Sequence, residues 1–389
     1  MNINHLRQDT PGTRYHRHLN NAGAALPPKP VIQAVQNYLQ EEALHGGYET
    51  AAKHAAGINR FYGAAAKLLN AKAHNIAFAG HATEAFNKAL SSIPFQPGDV
   101  LLTTDDDYTS NQIAFLFLQK HFKIKLLRAG KLPEGGVDVG SMKKLIEKHR
   151  PKLVAVTHVP TNSGLVQDVE GVGALCQKHG IWYLVDACQS AGQILLDVAR
   201  IGCDFLSLTM RKWLRGPRGA GFLFVSDRAL RAGLEPVFPD LGGAEWTEPG
   251  IYKNADDASR FAYWEKNYAL LLGSKAAIEY ALGLGLENIE KRVAELAGYA
   301  RQQLNALPGW KVLDLGKKKC GIVTAHHESS KPAIFKAALK KANINAGFAS
   351  TANALIDFTE KKVTWAMRVS PHYYNTKEEI DGLVAALKG

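Results

Sequence analysis

Long apolar runs are missing from this 389-residue chain, and none of its stretches is apolar for long enough to span a bilayer. A membrane partner is therefore not expected. The opening stretch, MNINHLRQDTPGTRYHRH, is polar and lacks the apolar core of a secretory signal. Cysteine is scarce. Cys176, Cys188, Cys203 and Cys320 form no CxxC pair and no regular framework, which argues against zinc and disulfides. The four read as reduced thiols in a cytoplasmic protein. Clustered base is also lacking. The net charge is +11, but the lysines are spread out and the densest run is only Lys317-Lys318-Lys319, so nucleic acid is not an expected partner. A glycine fingerprint for a nicotinamide cofactor is absent too. The glycines between Gly216 and Gly221 follow a late strand signal and enclose Pro217, which does not suit a GxGxxG turn.

What is present is the composition of an ordinary globular protein, 46% hydrophobic and 21% charged. Its length suits one large α/β domain and a smaller one. Short apolar runs recur at 76–79, 100–103, 124–127, 153–157, 182–185, 205–208 and 221–225. Helix-like segments lie between several of them, at 84–91, 111–121, 141–149 and 171–179. Strands buried on both faces and joined by helices predict a doubly wound, mostly parallel sheet. Ahead of it, 30–44 and 50–69 read as helices. Past Pro236 a Gly-, Pro- and acid-rich loop, 239–257, precedes helices predicted at 260–284 and 286–307. Alternating strand and helix signals then run to the end, at 310–315, 321–325, 333–342, 363–369 and 377–387. The division expected is an N-terminal segment 1–20, a large cofactor-binding domain 21–255 and a smaller α+β domain 256–389.

Open α/β sheets bind ligands at the carboxyl ends of their strands, so the polar residues after each apolar run carry the argument. Gly80-His81-Ala82-Thr83 follows the first run and opens a helix, whose free amides with the Thr83 hydroxyl suit a phosphate. A plain helix cap is the alternative. The second run leads to Asp105-Asp106-Asp107-Tyr108. Tyr108 offers a face on which a ring could stack, and the aspartates read as exposed turn carboxylates rather than metal ligands. Asn162 follows 153–157, where its amide could donate to a phenolic oxygen; an Asx-turn is equally consistent. Asp186 ends 182–185. A buried carboxylate needs a cation or donors, and a protonated pyridine nitrogen is such a partner, with capping of the next helix as the other reading. Last, 205–208 leads through Thr209 to Met210-Arg211-Lys212-Trp213-Leu214. Burial and neighbouring Arg211 both lower the pKa of Lys212, which favours a nucleophilic amine. Ser207 and Thr209 could add hydroxyls to a phosphate site.

Taken in order, Leu19-Asn20-Asn21-Ala22-Gly23-Ala24, His81-Ala82-Thr83-Glu84-Ala85, Asn162-Ser163-Gly164, Val185-Asp186-Ala187-Cys188-Gln189-Ser190 and Arg211-Lys212-Trp213-Leu214-Arg215-Gly216-Pro217-Arg218-Gly219 resemble the class V aminotransferase family of fold-type I enzymes dependent on pyridoxal 5′-phosphate. The resemblance spans nearly the whole chain. It implies a fold-type I homodimer with Lys212 as the Schiff-base lysine and Asp186 on the pyridine nitrogen. Asn162 and Gln189 would contact the cofactor's 3′-oxygen, and Tyr108 would stack on the ring. Ala82, Thr83 and Thr209, with Ser207, would hold the phosphate. Met367-Arg368-Val369-Ser370-Pro371-His372 resembles the family segment that binds the α-carboxylate of an amino acid substrate, a role falling to Arg368, and Asn21 joins it as a substrate-binding candidate.

Three features depart from many relatives. Arg211 stands where a histidine is common, Tyr108 takes the place of a stacking histidine, and 347–367 holds no cysteine. Arg211-Lys212-Trp213-Leu214-Arg215-Gly216-Pro217-Arg218-Gly219 and Arg368-Val369-Ser370-Pro371-His372-Tyr373-Tyr374-Asn375 resemble most the branch containing sulfoxide C–S lyases. The expectation is therefore β-elimination from a cysteine-derived substrate, with transamination or epimerisation as alternatives and cysteine desulfurase chemistry disfavoured.

Overall fold

The computed structural model describes residues 1–388. Its centre is a seven-stranded sheet in the order Ile76–Ala79, Gly221–Val225, Phe205–Thr209, Trp182–Asp186, Leu153–Thr157, Val100–Thr103, Lys125–Arg128. Gly221–Val225 runs antiparallel to both neighbours, and the remaining pairs are parallel. This is the expected α/β, mostly parallel architecture. The helices Ala82–Ser91, Thr109–Phe122, Val139–His149 and Val169–His179 connect the strands. The strands are buried because apolar clusters cover both faces: Val154, Val156, Val185, Leu206 and Leu208 belong to one, Leu153, Ala155, Leu184 and Phe205 to the other.

A four-stranded antiparallel sheet follows, in the order Trp310–Val312, Val323–His327, Trp365–Val369, Gly347–Ser350. Its apolar face packs with Leu296, Ala300, Leu304, Ile380 and Leu383 from the helices Leu286–Asn305 and Lys377–Leu387. The N-terminal segment is woven into this part of the chain. Arg17 and His18 pair in parallel with Ile344 and Asn345, and Asn20 bridges to Ser370.

Two expectations change. The loop foreseen over 239–257 contains an antiparallel hairpin, Ala244–Glu248 with Ile251–Asn254. Its side chains are mostly exposed, so the strands pair with each other and bury too little to leave an apolar signature. The helix foreseen from residue 260 begins at Tyr268, where the Asn267 side chain accepts from the Leu270 amide; Ala258–Phe261 is a 3-10 turn. Among the described residues, no single helix is long and apolar enough to cross a membrane.

Candidate active site

Side chains alternate across a strand, so residues two apart share a face. Thr157, Asp186, Ser207 and Thr209 therefore continue the face on which Leu153, Ala155, Leu184 and Phe205 are packed. Thr157 and Asp186 are in register, as are Asp186 and Ser207. A row of polar groups thus crosses neighbouring strand ends, each placed where the apolar core stops.

The helix Ala82–Ser91 packs over this face against the strands of Ser207 and Gly221. His81 caps it, its Nδ1 accepting from the Glu84 amide at 3.0 Å. The amides of Ala82 and Thr83 have no carbonyl before them in the helix and open towards the strand ends. A Cβ on Gly221 would sit 2.6 Å from the Leu208 carbonyl oxygen and 3.0 Å from the Ala82 nitrogen. Only glycine lets this strand come so close to the helix start. Ser207 Oγ is fully buried and has no hydrogen-bond partner.

Asp186 is buried with both oxygens engaged: Cys188 N donates to Oδ1 at 2.9 Å and Asn111 Nδ2 to Oδ2 at 2.9 Å. Lys212 is buried, and its pKa falls to about 8, chiefly through burial and further through Arg211 and Arg368, against Cys188 and Asp186, which raise it. The loop bearing it is clamped. Arg215 has φ of 59° and donates from Nε to the Leu26 carbonyl, from one Nη to Tyr373 Oη at 2.8 Å and from the other to Thr10 Oγ1 at 2.6 Å. Trp213 Nε1 donates to Gln189 Oε1 at 2.9 Å.

Arg368 lines a cleft of about 1210 Å³ together with Tyr108 and Asn162. One Nη donates to the Thr161 carbonyl at 3.0 Å, the other to Asn20 Oδ1 at 3.3 Å, and Nε is buried without a partner. Burial and the nearby Arg211 cation bring its pKa down to about 10. Such a guanidinium is short of an anion.

Not every expected residue faces this space. Asn21 is fully buried, donating to the Ser370 carbonyl at 2.7 Å and accepting from Tyr374 Oη at 2.6 Å. The substrate-binding role expected of it does not fit these contacts; Asn20, one residue earlier, lines the cleft. Gln189 is spent on Trp213 and on the Ala22 carbonyl, to which it donates at 3.0 Å. Asn162 donates to the Asn353 carbonyl at 3.0 Å.

The expectation of exposed turn carboxylates at 105–107 fails. Asp106 is buried, and Asp107 accepts from the Thr157 amide at 2.8 Å and from Thr103 Oγ1. Burial raises both to about 6. The Thr157 contact is not visible locally, because Thr157 lies on another strand. Asn111 was also missed. The available signal was its place in the first turn of a helix starting at the strand ends.

The aminotransferase class-V profile matches residues 17–383. The chain belongs to this family. Its members depend on pyridoxal 5′-phosphate, and this chain is accordingly a pyridoxal phosphate enzyme. The residues present fit that group: they offer a buried amine of lowered pKa, a buried carboxylate, and an unpartnered Ser207 hydroxyl beside open helix amides. A protein from Methanothermobacter thermautotrophicus, described as a probable cysteine desulfurase, is 28% identical over 100% of this chain and 98% of its own length. A probable hercynylcysteine sulfoxide lyase from Mycobacterium tuberculosis is 27% identical over 95% and 89%. The apo cysteine desulfurase of Thermococcus onnurineus NA1 superposes with a TM-score of 0.91 at 26% identity, over 99% of this chain and 97% of the other.

These class-V relatives correct the functional expectation. Elimination was favoured and desulfurase chemistry disfavoured because 347–367 lacks a cysteine, yet relatives matched end to end are cysteine desulfurases by description. The missing thiol was weighed too heavily.

Proposed function

We propose that this class-V enzyme acts on free cysteine in the manner of a cysteine desulfurase, breaking the Cβ–S bond and releasing alanine. The observation that carries the reading is Arg368, its Nε unpaired, in a cleft close enough to Lys212 for their charges to interact. A carboxylate anchor and a proton-carrying amine then serve one amino acid. The full-length likeness to proteins described as cysteine desulfurases supports cysteine as the substrate.

Pyridoxal phosphate, when bound, supplies the electron sink that makes an α-proton removable. The Ala82 and Thr83 amides with the Ser207 and Thr209 hydroxyls would hold its phosphate, Asp186 its pyridine nitrogen, and Lys212 its covalent attachment. Tyr108 would lie against its ring, with Asn162 near its 3′-oxygen. Arg368 binds the substrate carboxylate, and Asn20 and Thr161 orient the guanidinium. Lys212, released when the substrate's amine replaces it, takes the α-proton and returns a proton to carbon. Its lowered pKa keeps the amine able to do both near neutrality.

A homodimer and a cytoplasmic setting belong to the same reading. Phe238, Leu241, Trp246, Tyr252 and Trp264, on and around the hairpin, are exposed and apolar, as a second copy would require. The test is to supply L-cysteine with a thiol reductant to the holoenzyme. Alanine and sulfide in equal amounts are expected; pyruvate and ammonia in their place would refute the proposal.

A further inference from the structure

The Arg368 cleft includes the proposed cofactor contacts Tyr108 and Asn162 and extends beyond them to Lys336, Lys340 and Asn345. Pockets for drug-sized ligands run roughly 300–1,000 Å³, and this one measures about 1210 Å³. Its lining is also one-sided in charge. Arg368, Lys336 and Lys340 contribute positive charge, while no Asp or Glu lines it among the described residues. Lys336 and Lys340 are exposed, and neither is paired with a carboxylate among the described residues. A concave wall of one sign raises the local concentration of the opposite one.

Among the described residues, no cysteine lines that wall. Cys176, Cys203 and Cys320 are buried in apolar packing, which pushes all three thiols up, Cys320 to about 12. Cys188 lies beside Asp186, and burial with that carboxylate raises its pKa far above the ordinary value. A thiol held protonated is a poor nucleophile.

We propose that the cleft admits a small acidic thiol from outside the chain, bearing at least one carboxylate, as the acceptor of the sulfur. The inference rests on the desulfurase reading. The acceptor thiolate attacks the sulfur of bound cysteine, an S–S bond forms and the Cβ–S bond breaks with its electron pair left on carbon. A proton then completes alanine. Cysteine and RSH give alanine and RSSH: the substrate sulfur is oxidised to the sulfane level, Cβ is reduced, and no further oxidant or reductant is required. Lys336 and Lys340 hold the acceptor's carboxylate, and the surrounding cations favour its thiolate.

The test compares mercaptosuccinate with neutral 1-thioglycerol on the holoenzyme and on a Lys336→Ser, Lys340→Ser double variant. Calorimetry measures binding, and alanine release from L-cysteine is followed at matched thiolate concentration. Mercaptosuccinate is expected to bind about tenfold more tightly, with a matching advantage in alanine release that largely disappears in the double variant. Equal binding and equal rates with both thiols, or sulfane sulfur trapped on the chain itself, would overturn the inference while leaving the desulfurase reading intact. No alanine with either thiol overturns that reading and the acceptor role together, with calorimetry still reporting whether the cleft prefers anions.

Discussion

Asn111 Nδ2 donates to Asp186 Oδ2 at 2.9 Å, tying the first turn of the helix Thr109–Phe122 to the end of a strand 75 residues further along the chain. With Cys188 N on the other oxygen, the carboxylate is aimed before any cofactor arrives. Asn111→Leu leaves that buried oxygen one donor short, a loss of about 1–3 kcal/mol. Thermal unfolding should show the lower Tm, and equilibrium titration should show weaker pyridoxal phosphate binding. An unchanged affinity would remove Asn111 from the role of positioning Asp186.

The lowered pKa of Lys212, about 8, sets a pH dependence for cofactor capture. Only the neutral amine can attack the aldehyde, so capture by the apoenzyme should be slow below that pH and rise through it. The rate of appearance of the visible imine band, measured from pH 6 to 10, checks this. Lys212→Ala should show no such band at any pH.

Arg368→Lys keeps the charge but loses the planar donor pair. If Arg368 holds the α-carboxylate, losing one charged hydrogen bond worth about 1.5–3 kcal/mol should raise KM for the amino acid by about 10- to 100-fold. The imine band of the resting enzyme should persist, because Arg368 is not assigned to the cofactor. Loss of the band would instead place it on the cofactor.

Asp107 is raised to about 6, first by burial, from an ordinary value near 4. The folded state therefore holds a proton there that the unfolded chain releases earlier. Stability from this group is present at low pH and is lost as pH rises from about 4 to 6. The Tm of Asp107→Asn should lack this part of the decline over that interval. Parallel melting curves for the two proteins would show the group to be ordinary.

Much of the site was legible because it is local. Lys212, Asp186, Thr83 and Asn162 each lie within about five residues of the end of an apolar run, and strand ends of open α/β sheets are where ligands bind. The family motifs then assigned the cofactor. The function was less legible, since a missing cysteine at 347–367 was read as evidence about the reaction rather than about the acceptor.

Sequence alone determined the strand–helix alternation, the order of the strand ends and the lysine among them, because burial and helix periodicity are written in neighbouring residues. Tertiary structure decided which polar residues share a space. Pairing of Asn20 with Ser370 directs Asn20 to the cleft and Asn21 to Tyr374, a one-residue distinction that no local pattern holds. The hydrogen bonding of Asp107 depends on an amide 50 residues away, and the aim of Asp186 on Asn111. Those contacts exist only once the sheet has brought distant strand ends side by side.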